Sequence, residues 1–212
     1  STFYYCSSLT EIVIPEGVTS IADGAFYTCS KLTKITIPTT LKSISGAQTF
    51  YGCSALTEVH ITDLAAWCGI KFSLATSNPL YYAHKLYVNN LMVEDLVVEG
   101  TSSIGNYAFN ELYSLNTITI RGDVKVIGDD AFNGSLADII YIEEGVTTIG
   151  NNAFWDIDAV DLYIPSTITT IKGAAFDTGT TITNVYIADI SAWCGITFAL
   201  ESANPLREAE NM

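Results

Sequence analysis

Residues 25–38 read AFYTCSKLTKITIP, and the chain makes the same statement several times over. Residues 2–15 read TFYYCSSLTEIVIP, residues 108–121 AFNELYSLNTITIR, and residues 153–165 AFWDIDAVDLYIP. A Phe, a small residue or Cys, a Leu and an I-x-I recur at nearly fixed spacing. The Phe anchors are Phe3, Phe26, Phe50, Phe109, Phe132, Phe154 and Phe176, separated by 23, 24, 59, 23, 22 and 22 residues. Self-similarity at such a period points to stacked coils, so the repeat decides the fold before any single motif does.

Eight cores carry the period: LTEIVI (9–14), LTKITI (32–37), LTEVHI (56–61), VEDLVV (93–98), LNTITI (115–120), ADIIYI (137–142), AVDLYI (159–164) and ITNVYI (182–187). Each alternates apolar and variable positions, as a short strand does, with Ile12 and Ile14 facing inward and Val13 outward. A second apolar pair follows at Val18/Ile21, Leu41/Ile44, Val124/Ile127, Val146/Ile149 and Ile168/Ile171. Turn residues such as ADG (22–24), GDD (128–130) and GNN (150–152) precede the Phe. Pro15, Pro38 and Pro165 end their strands, because proline cannot donate to a ladder. One coil cannot bury its own Ile, Leu and Phe, whereas coils stacked about 4.8 Å apart cover one another continuously. The fold class expected is a leucine-rich repeat solenoid, mainly β within the α/β type. It is a right-handed coil with a parallel β-sheet, interrupted by a short helix plus β-hairpin insert.

The 59-residue gap holds DLAAWCGIKFSLATSNPL (63–80), and its echo DISAWCGITFALESANPL (189–206) is identical at 11 of 18 positions. Asp63 and Asp189 precede apolar stretches and read as helix N-caps. Trp67, Ile70 and Phe72, like Trp193, Ile196 and Phe198, are expected to pack on the solenoid. After the first insert, YYAHKLYVNNLMVEDLVV (81–98) alternates on both sides of Asn89-Asn90, a hairpin signal. The expected organisation is one solenoid over 1–212, with coils 1–62, insert 63–93, coils 94–188 and a second, truncated insert 189–212. Truncation is favoured over a natural tail at REAENM (207–212), and Ser1 opens mid-repeat, so the chain reads as a piece of a longer protein. The duplicated insert suits a buttress better than a binding element.

Nearly half of the 212 residues are apolar, enough for a sizeable core, and no run of about eighteen apolar residues is present to cross a bilayer. Nine Lys plus Arg against 23 Asp plus Glu give a net charge of −14. Such a chain repels phosphate backbones and anionic membrane surfaces, so no nucleic acid partner is expected, and without an apolar span no membrane insertion of this fragment is expected either. Cys6, Cys29 and Cys53 share one repeat position, and Cys68 and Cys194 share another. Without a CxxC, they read as small buried thiols rather than a disulfide framework or a metal site.

The chemistry-bearing motifs are missing. His60 and His84 have no metal-ligand spacing, and neither G-x-S-x-G nor a phosphate loop occurs. Asp129-Asp130 over Asn151-Asn152 suits turn chemistry better than calcium, since the calcium-binding nonapeptide is absent. Glu143-Glu144, adjacent at a strand end, point apart and are a poor acid–base pair. No catalytic residue, cofactor or metal is expected. The surface is more informative. The outward strand centres read Val13, Thr36, His60, Val97, Thr119, Tyr141, Tyr163 and Tyr186, and Ile139, Asp161 and Asn184 flank the last three. An exposed tyrosine column offers rigid apolar area with a polar tip, suited to recognition; it equally suits cross-strand stabilisation of the sheet. The binding residues expected are therefore Tyr141, Tyr163, Tyr186, His60, Ile139, Asp161 and Asn184.

The run CSSLTEIVIPEGVTSIADGAF (6–26), with its C-x-x-L-x-x-I-x-I-P…V-x-x-I-x-x-x-A-F pattern, resembles the leucine-rich repeat of the BspA-like bacterial surface proteins. The resemblance covers nearly the whole chain. It implies an extracellular or cell-surface location and a non-enzymatic role in adhesion. The partner implied is a host extracellular-matrix or serum protein, such as fibronectin or fibrinogen, or another bacterial surface protein. Two alternatives stand beside it: a passive spacer or stalk of a larger surface protein, and a carbohydrate-binding surface.

Overall fold

The computed structural model describes residues 2–113, 115–177, 181–207 and 209–211. Glu208 and Met212 of the REAENM run, Ser1, Ser114 and residues 178–180 lie outside the described residues. The I-x-I cores form parallel strands stacked coil on coil. A first ladder joins Glu11–Val13, Lys34–Thr36, Glu58–Ile61 and Leu86–Val88, pairing Ile12 with Ile35, Ile35 with Val59 and Val59 with Leu86. A second joins Asp95–Val98, Thr117–Ile120, Ile139–Ile142, Asp158–Ile164, Thr181–Ile187 and Ala209–Asn211. Because side chains alternate faces, this register places every inward Ile, Leu or Val over its equivalent. Ile35, Val59, Ile118, Ile140 and Leu162 are wholly buried, while Val13 is 70% exposed.

The expected solenoid is present, with two differences in its wiring. First, the ladder is split. Leu86–Val88 is at once the fourth rung of the first ladder and one arm of the expected hairpin, whose other arm is Leu91–Met92. Asn89 and Asn90 turn it with φ of 51° and 65°, as a primed turn requires. The antiparallel arm ends hydrogen bonding in that direction, so Asp95–Val98 starts a new sheet. Secondly, the second apolar pair of each coil also makes a strand. Ser20–Ile21, Ser43–Ile44 and Lys71–Phe72 form one such ladder. Ser103–Ile104, Val126–Ile127, Thr148–Ile149, Thr170–Ile171 and Thr197–Phe198 form another. Each insert therefore contributes a rung, at Phe72 and at Phe198.

The corner opposite the strands is built on the Phe anchors. Phe109, Phe132, Phe154 and Phe176 stack with ring centroids 5.2–5.3 Å apart, and Phe26 and Phe50 stack at 5.5 Å. Full burial of each ring stabilises the fold by about 1.5–3 kcal/mol. The backbone bends there through two left-handed residues per coil. One stands two before the Phe (Tyr107, Asp130, Asn152, Ala174) and one two after it (Tyr5, Thr28, Glu111, Asp156). The cysteines explain themselves at this corner: Cys29 Sγ donates to Phe3 O and Cys53 Sγ to Phe26 O, both at 3.1 Å. Ser135 makes the same bond to Phe109 O. In these coils the slot holds a small side chain with one donor, and in two others Leu112 and Ile157 fill it with apolar volume alone. Burial pushes the thiols of Cys53 and Cys68 up to about 12, so neither is a nucleophile at neutral pH.

The two inserts share their local structure. Asp63 accepts from Ala66 N at 2.9 Å and caps the helix Leu64–Cys68; Asp189 accepts from Ala192 N at 2.8 Å and caps Ile190–Cys194. Their environments differ. Trp67, Cys68, Ile70 and Phe72 are buried, whereas Trp193, Ile196 and Phe198 are half-buried and Cys194 is exposed, against the expectation of a buried thiol. The following coil is the reason. Trp67 Nε1 donates to Ala108 O at 2.9 Å, Gly105 N donates to Cys68 O at 2.9 Å, and Asn78 Nδ2 donates to Tyr107 O at 2.7 Å. A coil laid against the first insert seals it.

Carboxylates stitch neighbouring turns. Glu16 accepts from Thr39 N at 2.9 Å, and Glu144 accepts from Ser166 N at 2.8 Å and Ser166 Oγ at 2.9 Å. The backbone donor at Thr39 holds the Glu16 carboxyl below its ordinary 4.5, and that at Ser166 does the same for Glu144. A carboxylate lowered in the folded state stabilises it above the unfolded value, and that gain is lost as pH falls through the folded value. Urea midpoints measured from neutral to acid pH are thus expected to fall below about pH 4.5. Glu16→Gln/Glu144→Gln should start lower at neutral pH and fall less steeply. A variant whose acid slope matches the parent's would show that these caps do not contribute.

Candidate functional site

The outward strand positions make a ridge on the second ladder. Register pairs Tyr141 with Tyr163 and Tyr163 with Tyr186. The rings stack at 4.5 and 4.4 Å between centroids, tilted by 22° and 11°. Tyr141 and Tyr163 are half-exposed and Tyr186 is 43% exposed. Flanking positions follow the same register: Ile139 opposite Asp161, and Asp161 opposite Asn184, whose Nδ2 donates to Asp161 Oδ1 at 2.8 Å. The structure therefore brings six of the seven expected residues onto one face. Partial loss of water, and then the neighbouring Tyr141 and Asp161, raise the phenol of Tyr163 above its ordinary value.

An open groove of about 500 Å³ runs beside this ridge, lined in part by Ile142, Glu144, Tyr163, Pro165 and Tyr186. At its rim Glu143 pairs with Arg121, and Glu144 is committed to Ser166. Adjacent in sequence at the strand end, the two acids have separate partners.

His60 is the seventh expected residue, and it is not on the open face. It is 6% exposed. Tyr87 lies flat on its ring at 4.5 Å, Asn90 Oδ1 stands 3.2 Å from Nδ1, and Glu58 Oε2 stands 2.8 Å from Nε2. The hairpin closes over the strand centre and converts an outward position into a covered one. Tyr87 was missed for the same reason. KLYV (85–88) has the alternation of a rung, but the strong Asn-Asn turn beside it assigned the segment to the hairpin alone.

Among the described residues no group of three or more His, Cys, Asp and Glu is placed to hold a metal ion. Asp129 Oδ1 accepts from Asn151 N at 2.9 Å, and Asp130 Oδ1 accepts from Asn152 Nδ2 at 3.3 Å, so the stacked turns pair with each other. Among the described residues no helix is long and apolar enough to cross a membrane.

Residues 1–69 and 85–199 match the BspA type Leucine rich repeat region, in 6 copies. The chain belongs to the BspA-type leucine-rich repeat family. No curated protein matches it. Solved structures similar to this BspA-type chain include a leucine rich cell surface protein from Faecalibacterium prausnitzii A2-165, at 23% identity and a TM-score of 0.43. That match covers 92% of this chain, which spans 64% of the F. prausnitzii protein. A leucine-rich repeat protein from Bacteroides ovatus ATCC 8483 is 18% identical, with a TM-score of 0.41, over 95% of this chain and 66% of that one. The T. pallidum Leucine Rich Repeat protein is 19% identical, with a TM-score of 0.38, over 84% of this chain and 73% of that one. BspA-type repeats belong to an architecture that is generally non-catalytic and generally mediates protein interactions.

Proposed function

We propose that this chain is a non-enzymatic recognition domain of a bacterial surface or secreted protein, which docks a host matrix or serum protein, or another bacterial surface protein. The docking face is the strand ridge of Tyr141, Tyr163 and Tyr186 with Ile139, Asp161 and Asn184. One observation carries the reading: three tyrosines in strict register form a continuous exposed ladder beside an open, largely apolar groove. Tyrosine ladders supply contact area at little cost in side-chain entropy, and such rings dominate protein interfaces.

The same geometry weighs against a sugar site. A sugar stacks on a free aromatic face, and both faces of Tyr163 are covered by Tyr141 and Tyr186. What the ridge offers outward is ring edges and hydroxyls, which suit protein contacts.

The chain passed over immobilised fibronectin and fibrinogen in surface plasmon resonance is expected to bind at least one of them. Tyr141→Ser/Tyr163→Ser/Tyr186→Ser should weaken that binding at least tenfold, with the fold intact by circular dichroism. Unchanged affinity in the variant would move the site elsewhere. No binding by the parent chain to either protein would sink the matrix-adhesion reading in favour of a spacer.

A further inference from the structure

A second tyrosine surface lies on the turn side of the first coils, away from the strand ridge. The residue after each Phe is Tyr4, Tyr27 and Tyr51. Tyr4 stacks on Tyr27 at 4.8 Å, Tyr27 stacks on Tyr51 at 5.4 Å, and Tyr5 meets Tyr4 and Tyr27 edge-on. The first insert adds Tyr81 and Tyr82, whose rings meet edge-on at 5.2 Å with Tyr51 nearby. Tyr4, Tyr5, Tyr51 and Tyr81 are 49%, 58%, 58% and 36% exposed.

The surroundings are as telling as the rings. Segments 2–9, 24–30, 45–57 and 73–84, which supply this face, contain no Asp, Glu, Lys or Arg, although 15% of the chain is charged. Ser7, Ser30 and Ser54 follow the cysteines there. The equivalent turns of later coils carry Glu111, Asp130, Asp156 and Asp177 instead, while Asp23, the equivalent of Asp129, stands at the border of the face and accepts from Gln48 N at 3.0 Å. Depletion of charge with enrichment of tyrosine is what the core of a protein interface looks like.

We propose that this uncharged tyrosine face pairs with the same face of a second copy of the chain, in a twofold dimer. Charge selects the occupant. Each copy carries −14, so two copies repel wherever their acidic turns approach, and this neutral face lets them touch. The surface is self-complementary in kind. Stacked columns turn ring edges and hydroxyls outward, and two such columns interdigitate edge-to-face across a twofold axis. The four exposed rings supply on the order of 400 Å² per copy. With the neighbouring Ser and Thr side chains, that reaches the low end of specific interfaces, about 600 Å² per partner.

Sedimentation equilibrium of the full 212-residue chain, from about 1 µM to about 1 mM, tests this. The expected result is a reversible dimer, tightened at least tenfold when sodium chloride rises from about 0.02 M to about 0.5 M, because salt screens the repulsion. Tyr4→Ser/Tyr27→Ser/Tyr51→Ser should raise its Kd at least 100-fold. Ser7→Asp/Ser54→Asp, which removes no ring and alters only exposed serines, should do the same and decides the matter if the tyrosine variant fails to fold. A monomer throughout, a dimer indifferent to both variants, or a dimer loosened by salt would each overturn the proposal. None of these outcomes bears on the strand ridge, which the matrix-protein experiment tests separately.

Discussion

Phe132→Ala is expected to lower the free energy of unfolding by about 3–5 kcal/mol, among the largest losses available to one substitution here. The ring is wholly buried and sandwiched between Phe109 and Phe154, each at 5.2 Å. The cavity left behind has no means of closing. Asp130 and Gly134 fix the corner in left-handed conformations on either side, and Phe132 N is tied to Ala153 O at 2.8 Å. The wall of the hole is therefore backbone held by neighbouring coils, and the cavity adds its cost to the lost transfer energy. For a chain of this length the thermal midpoint should drop by roughly 2–4 °C per kcal/mol. Phe3→Ala, at the half-buried end of the other stack, should cost clearly less. Equal losses at the two positions, by urea or thermal unfolding, would show that the rings do not act as a stack.

The second large effect separates two tryptophans that the sequence presents as equivalents. Trp67→Ala is expected to cost about 3–5 kcal/mol, and Trp193→Ala clearly less. Both stand in a capped helix turn and both pack on the Phe five residues on, Trp67 on Phe72 and Trp193 on Phe198, each pair at 5.3 Å. The difference lies above them. Trp67 is buried and its indole N–H is satisfied by Ala108 O, whereas Trp193 remains partly open to water, with Ile190 beside it 73% exposed. Removing a partly hydrated ring forfeits less burial and leaves no sealed void. Similar midpoints for the two variants in parallel denaturation would remove the claim that the coil over the first insert does the stabilising.

The strands and their register were legible because two periods agree. Ile12, Ile35 and Val59 alternate within a coil and return in phase with the Phe anchors between coils. The tyrosine ridge followed directly, since an outward position in a parallel stack meets its own equivalent. What escaped had weaker local signals. Ser20–Ile21 and Ser43–Ile44 are strands of two residues, too short to show any alternation, and they exist because neighbouring coils supply their hydrogen bonds. His60 looks outward in its own strand, and only the hairpin that folds back over it makes it a buried residue. Trp67 and Trp193 have the same neighbours in sequence, so their unequal burial is decided by a coil some forty residues beyond Trp67, whose carbonyl at Ala108 takes the indole proton. The turn-side tyrosines of YYC, YTC and YGC lie in turns, which have no alternation to show which way a ring faces, and only the stacking of coils aligns them.

The split ladder has a mechanical meaning. On either side of the Asn89-Asn90 hairpin, coils are laced by rows of backbone hydrogen bonds. Across it, the two halves are joined by a short set of fastenings: the Trp67 indole, the Asn78 amide, the His84 ring on Glu111 O, and the amides of Gly105 and Tyr113. Since each coil is held chiefly by its immediate neighbours, a sparse join between two dense stacks marks where a stretched or heated rod parts first. Parting is thus expected at the middle of the molecule, where the shared apolar core and the Trp67 indole are the principal rivets.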